Sequence, residues 1–238
     1  MRDVYHDELD DVGRKVVQGA HLVSIAMDTA TKALLAGGAD LADRVVAEDR
    51  FVDQLSSDIE DHCFALIAQQ QPVATDLRVL IGSIRLAGDL ERMGDLAGHV
   101  AKVARRRLPE RAVPADVRDV IAAMGATARL LVTKAAEVVD GRDIELAREI
   151  EHEDDHMDEL RRTLFSKVLS PQWPHGVEAA IDLTLLGRYY ERYADHAVAV
   201  ARQVMFIVTG EPPAMRRTPS SAGPGGAANA QIRSSQSP

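Results

Sequence analysis

The residues best suited to do chemistry in this chain are two pairs of acids. Glu91 and Asp95 stand four apart in DLERMGD, and one hundred residues later Glu191 and Asp195 repeat the pair in YYERYAD. Read as helix, each pair lies on one face about a turn apart. Like charges at that spacing repel by about 0.2–0.5 kcal/mol in an isolated helix, so a cation is expected to offset them. It could be a neighbouring arginine or a bound metal. Carboxylate oxygens suit hard or borderline cations, which leaves Mg, Mn, Fe or Zn open. One helix supplies only two such groups, so further ligands must come from the helix beside it. Those candidates are Asp49 and Asp53, with Glu48, in the first half, and Asp154 and Asp158, with Glu153, in the second. The competing reading is a solvated polar face, or acids paired with Arg78, Arg85 and Arg92.

Those three arginines recur at spacing seven and make a basic stripe that could neutralise the acids, bind an oxyanion, or face solvent. Glu149-x-x-His152 and Glu153-x-x-His156 have the spacing used in di-iron bundles. The first half, however, has Arg50 and no histidine where the second has Asp155-His156. A carboxylate-bridged metal store or oxidase is therefore the alternative reading. His99 and His196 follow the acid pairs and could be outer ligands, though surface positions are the commoner outcome. Cys63 lies beside His62 with no third group to orient a thiolate. There is no Gly-x-x-x-x-Gly-Lys-Ser/Thr and no Gly-x-Gly-x-x-Gly loop. Tyr189, Tyr190 and Tyr193 read as packing or partner-contact residues. With no set of nucleophile, base and orienting group, the chain is expected not to be an enzyme.

Helices must position these residues. Val12, Val16, Val23, Met27, Ala30 and Leu34 have helical spacing, and Gly37-Gly38 stops that run. Asp40 is the expected N-cap of a second helix that ends near Gln71-Pro72. Thr75 is the expected cap of a third, with Asp76 in its first turn, running to about Arg107 before Pro109 and Pro114. A fourth helix spans roughly 115–139, Asp140-Gly141 turns the chain, a fifth spans about 143–168, and Pro171 to Pro174 separates it from a sixth over about 177–208. No block alternates as a strand should. The expected fold is therefore all-α.

The halves also repeat outside the acid pairs. Ala42 to Leu55 reads AxxVxxEDxxVDxL and Ala147 to Leu160 reads AxxIxxEDxxMDxL, offset by 105, before the offset falls to 100 at Glu-Arg-x-x-Asp. Repetition at this scale implies two tandem three-helix bundles, with 1–110 as the first, 111–210 as the second, and a disordered tail over 211–238, where Pro, Gly, Ser and Ala predominate. An apolar fraction of 46% supports real cores. A net charge of −9 argues against direct nucleic-acid binding. No apolar stretch is long enough to span a membrane, the N-terminal residues lack the apolar core of a secretory signal, and a single cysteine allows no internal disulfide.

Three stretches together carry a resemblance: Gln71-Pro72-Val73-Ala74-Thr75-Asp76-Leu77-Arg78, Asp89-Leu90-Glu91-Arg92-Met93-Gly94-Asp95, and Tyr190-Glu191-Arg192-Tyr193-Ala194-Asp195-His196. Over residues 4–208 the chain resembles the PhoU family of phosphate-signalling regulators. The resemblance implies two three-helix bundles related by a pseudo-repeat. It also implies metal clusters on the Glu/Asp-x-x-x-Asp helices, here at Glu91, Asp95, Glu191 and Asp195. It implies a cytoplasmic protein, as a homodimer, that couples the ATPase subunit of a phosphate ABC transporter to a sensor histidine kinase. In that role it would hold down the starvation response when phosphate is plentiful, meeting the membrane only through its partners. Two departures stand out. The second half lacks the Pro-x-x-x-Asp-Leu-Arg opening, and Gly94 and Ala194 replace a bulkier apolar residue, so helix spacing is expected to differ there.

Overall fold

A computed structural model describes residues 2–211, with side chains from Val4 onward. Six long helices account for nearly all of it: α1 (Arg2–Ala36), α2 (Ala39–Gln70), α3 (Ala74–Arg106), α4 (Arg118–Gly141), α5 (Ile144–Val168) and α6 (Gly176–Thr209), with one 3-10 turn, Ala115–Val117, before α4. No strand occurs among the described residues. The expectation of a disordered tail falls on residues beyond Glu211, outside the described region.

The helix ends follow local chemistry. Gly37 has φ +77, and its N–H and that of Gly38 both donate to Ala33 O, at 2.9 and 3.1 Å, closing α1 with a left-handed glycine. Asp143 caps α5, its side chain accepting from the N–H groups of Glu145 and Leu146 at 2.9 and 3.1 Å. Three expected boundaries move. Gly38 and Val73, both extended and without a side-chain cap bond, precede α2 and α3, so Asp40 and Thr75 lie inside the first turns. Asp40 there favours the helix through its dipole rather than by capping. The Asp140-Gly141 pair belongs to α4, and the turn falls on left-handed Arg142.

The apolar positions read from spacing are the core. Val12, Val16, Val23, Met27, Ala30 and Leu34 are each at most 1% exposed. Helices α1–α3 form one bundle and α4–α6 the other. The bundles meet where α1 packs on α4 and α3 on α6, so these four helices are central and α2 and α5 lie outside them. The buried residues of all six helices form one contiguous cluster. Side chains tie the bundles further. The Tyr190 hydroxyl lies 2.8 Å from Thr31 Oγ1, and the Tyr193 hydroxyl donates to Val23 O at 2.9 Å. Both tyrosines are fully buried, and each such side chain contributes about 1.5–3 kcal/mol by leaving water. At the same crossing Gly125 has no room for a side chain: an added Cβ would lie 2.5 Å from Thr31 Cγ2.

Candidate functional site

The repeat brings the acids together twice, on the outer flanks where α2 meets α3 and where α5 meets α6. In the first centre Asp49 is half-buried and lies against α3 at two glycines. A Cβ on Gly94 would stand 2.8 Å from Asp49 Oδ1, and one on Gly98 would stand 3.6 Å from Oδ2. The local departure at Gly94 is therefore a cradle for a carboxylate. Burial pushes the Asp49 carboxyl above its ordinary value, and the charges of Asp53 and Asp95 push it further. Lys102 and His99 pull it back. Asp95 accepts from Arg92 Nη1 at 3.0 Å. Glu91 is half-buried and Asp53 exposed.

The second centre keeps the acids and changes their company. Arg188 donates to Glu191, and Arg161 Nε stands 3.8 Å from it, an ion pair but not a hydrogen bond. Lys134 Nζ donates to Glu153 at 2.6 Å and to Glu149 at 3.1 Å. These bonds, that to Glu153 foremost, raise the pKa of the lysine. Asp154 is buried, at 6% exposure. Asp195 and Asp158 are half-buried, and both engage neighbouring groups: Asp195 has an interaction of its own, and Asp158 accepts through its backbone oxygen from Arg162. The Glu-x-x-His patterns do not converge. Their two glutamates share Lys134, while His152 and His156 are exposed.

Among the described residues, no group of three or more His, Cys, Asp or Glu side chains stands ready to hold a metal ion. The first centre nevertheless suits a hard cation in its donors. Asp53 and Asp95 both repel Asp49 on its glycine floor, and a cation there would relieve that repulsion once Arg92 released Asp95. The second centre suits one less, because Glu191 already carries two guanidinium groups. The basic stripe resolves into separate tasks. Arg92 holds Asp95, Arg85 Nη1 reaches Gln203 Oε1 at 3.5 Å, and Arg78 donates to Ile207 O at 3.4 Å, where a cation complements the C-terminus of α6.

Sequence reasoning missed the α3–α6 seam. The two helices run antiparallel, and further side-chain contacts bind them besides those of Arg78 and Arg85. Asp89 lies 2.9 Å from His196 Nδ1. His99 stacks on Tyr189 with ring centroids 5.1 Å apart. Asp182, 3% exposed, accepts from Arg106 and, at 2.5 Å, from Arg107, which also donates to Glu178 at 2.8 Å. The one available signal was Asp182 itself, an acid on the apolar face of α6. Cys63 is buried and its thiol is pushed up to about 11 by burial, which removes it as a nucleophile at neutral pH.

The structure is thus a duplicated three-helix bundle with paired carboxylates on each copy and an ion-paired seam between the copies. The PhoU domain matches it twice, at residues 16–104 and 121–204, one match on each bundle. "Phosphate-specific transport system accessory protein PhoU homolog 2" of Mycobacterium tuberculosis is 46% identical over 210 residues, covering 88% of this chain and 99% of that protein. The corresponding PhoU homolog of Aquifex aeolicus is 35% identical over 208 residues, covering 86% and 92%. The crystal structure of PhoU from Pseudomonas aeruginosa superposes with a TM-score of 0.79 at 26% identity, covering 87% of this chain and all of that one. The chain belongs to the PhoU family, and with it to the regulators of the phosphate system rather than to the enzymes. Among the described residues no helix is long and apolar enough to cross a membrane.

Proposed function

We propose that the protein is a cytoplasmic adaptor, working as a homodimer, that restrains the phosphate-starvation response by coupling the ATPase subunit of a phosphate ABC transporter to a sensor histidine kinase. What carries this reading is family membership across both bundles rather than one. It is supported by the long helical faces that two rigid bundles offer to partners. The net charge of −9 favours basic partner patches and binding that weakens with salt. The membrane is reached through those partners, and nucleic acid is not a ligand.

Metal belongs to the same proposal. Asp49, Asp53 and Asp95, with Glu91, would hold a Mg, Mn, Fe or Zn ion at the first centre. Asp154, Asp158, Glu191 and Asp195 would hold a more weakly bound one at the second. The ion supplies positive charge and cross-links two helices, and no chemical turnover is assigned to it. Support comes from the repulsion that Asp53 and Asp95 exert on Asp49 and from the glycine cradle beneath it.

A starvation-gene reporter in the native host tests the adaptor. A null strain, with any close paralogue also removed, is expected to express the starvation genes in phosphate-rich medium. Wild type should restore repression, and a folded Asp95→Ala/Asp195→Ala variant should not. Normal repression in the null strain would sink the reading. Elemental analysis of protein purified without chelator tests the metal separately: less than about 0.1 ion per chain, with no uptake of Mn²⁺ or Mg²⁺ on titration, retires it.

A further inference from the structure

The repeat relates the two sides of the α3–α6 seam by an offset of one hundred residues, and the two sides differ. On one side Tyr189 stacks on His99 and closes the surface. On the other the same two positions are Asp89 and Ala199, neither of which fills the space. Arg188 corresponds to Gly88, where an added side chain would meet only open space. The result is a groove of about 420 Å³ floored by Gly88 and Ala199 and walled by Arg85, Asp89, Arg202 and Gln203. Arg85 and Gln203 have apolar counterparts at the matching positions of the closed side, Leu185 and Val103, whereas Arg202 matches another cation, Lys102.

The wall is rich in unused donors. Arg202 binds Glu151 through Nε at 2.5 Å, and Arg85 makes only the 3.5 Å contact with Gln203 Oε1. Each guanidinium has five N–H donors, so these contacts leave most of them for another acceptor. Gln203 is 6% exposed, and its Nε2 is shut off from water without a hydrogen-bond partner among the described residues. Its Oε1 faces Arg85 Nη1 at 3.5 Å. The terminal amide torsion is soft, so a stronger acceptor in the groove could draw the NH₂ inward. The one carboxylate in the wall, Asp89, is engaged by His196 at 2.9 Å.

We infer that this groove binds an oxyanion of the phosphate class, either inorganic phosphate or the phosphoryl group of a small monoester, between Arg85, Arg202 and Gln203. Planar guanidinium groups match such oxygens in pairs, and the volume leaves room for an ester substituent. The inference goes beyond the adaptor reading and rests on seam geometry alone, so either can fail without the other.

Calorimetry on the full chain, stripped of metal with chelator so that no metal–phosphate contact contributes, tests it with inorganic phosphate and with a phosphomonoester. Saturable binding of either supports the site, and the one bound more tightly identifies the source. Arg85→Leu, which installs the residue of the closed side, and Arg202→Gln are each expected to weaken binding about tenfold or more. Lys32→Gln, on the exposed face of α1, is expected to change nothing. If Arg85→Leu loses its helical circular dichroism, Arg202→Gln carries the test. Absence of saturable binding up to roughly 50 mM of both ligands, or wild-type affinity in the folded variants, overturns the inference.

Discussion

In the first bundle Asp49 lies against Gly94 and Gly98 under the charges of Asp53 and Asp95, with exposed Arg92 on Asp95 and Lys102 and His99 offsetting the charge at Asp49. In the second, Ala194 and Val198 stand where the glycines were, and Arg161, Arg188 and Lys134 hold the acids. The seam diverges in the same way. At one end α3 gives a cation, Arg78, to the carbonyl end of α6. At the other α6 gives anions, Asp182 and Glu178, to the arginines that end α3. The two copies share their helices and acidic positions and differ in their counter-ions. One centre keeps repulsion that a ligand can relieve. The other has become an ion-paired strut.

The ends of the seam should differ most. Arg106→Ala with Arg107→Ala leaves Asp182, whose side chain is 4% exposed, without a counter-ion. A stranded buried charge costs about 3–5 kcal/mol, and urea unfolding should register it. Arg78→Ala, at the other end, should cost under about 1 kcal/mol. Equal losses would mean that the two latches are equivalent after all.

The acidic centres should differ next. Removing Arg161 and Arg188 together bares Glu191, whose side chain is 14% exposed, and should cost about 1–3 kcal/mol. Arg92→Ala separates a pair exposed at 65% and 40%, so stability should move by about 0.5 kcal/mol or less. Metal titration of that variant should show tighter uptake, since Asp95 no longer has to leave an arginine.

One small expected effect has the opposite sign. The fold raises the Asp49 pKa above the ordinary 3.8, so ionised Asp49 opposes folding. That penalty is complete above the raised value and absent below the ordinary one. Asp49→Asn should therefore stabilise metal-free protein at neutral pH by about 0.5–1 kcal/mol. The gain should fade as pH falls through the raised pKa toward 3.8. Denaturation across that range measures it, and destabilisation at pH 7 would show that repulsion does not govern the first centre.

Much of this was legible in the chain. Gly37-Gly38 and the proline breaks marked where helices end, and apolar spacing found the core face of α1. Asp40 and Thr75 misled because their helices begin on extended residues with no side-chain cap, so a capping residue just inside the start looks like the cap itself. The acid pairs were legible because they repeat. The seam was not. Asp89 meets His196 across 107 residues and Arg107 meets Asp182 across 75. A repeat reveals that two copies exist, but their mutual packing depends on close approaches such as Ile207 to Gly82 and Thr31 to Gly125, where a Cβ would leave no room.

The bonds from Tyr190 to Thr31 and from Tyr193 to Val23 also bear on how the chain is made. They join α1 to α6 across 159 and 170 residues. A ribosome adding about 5–20 residues per second needs roughly 8–30 seconds between those positions. Once α3 is complete α1 has α2 and α3 beside it, but its face for α4 and α6 stays bare until the second copy is made. The first bundle therefore leaves the ribosome with an apolar surface uncovered, and nascent chains halted between the two copies should be far stickier toward chaperones than the finished protein.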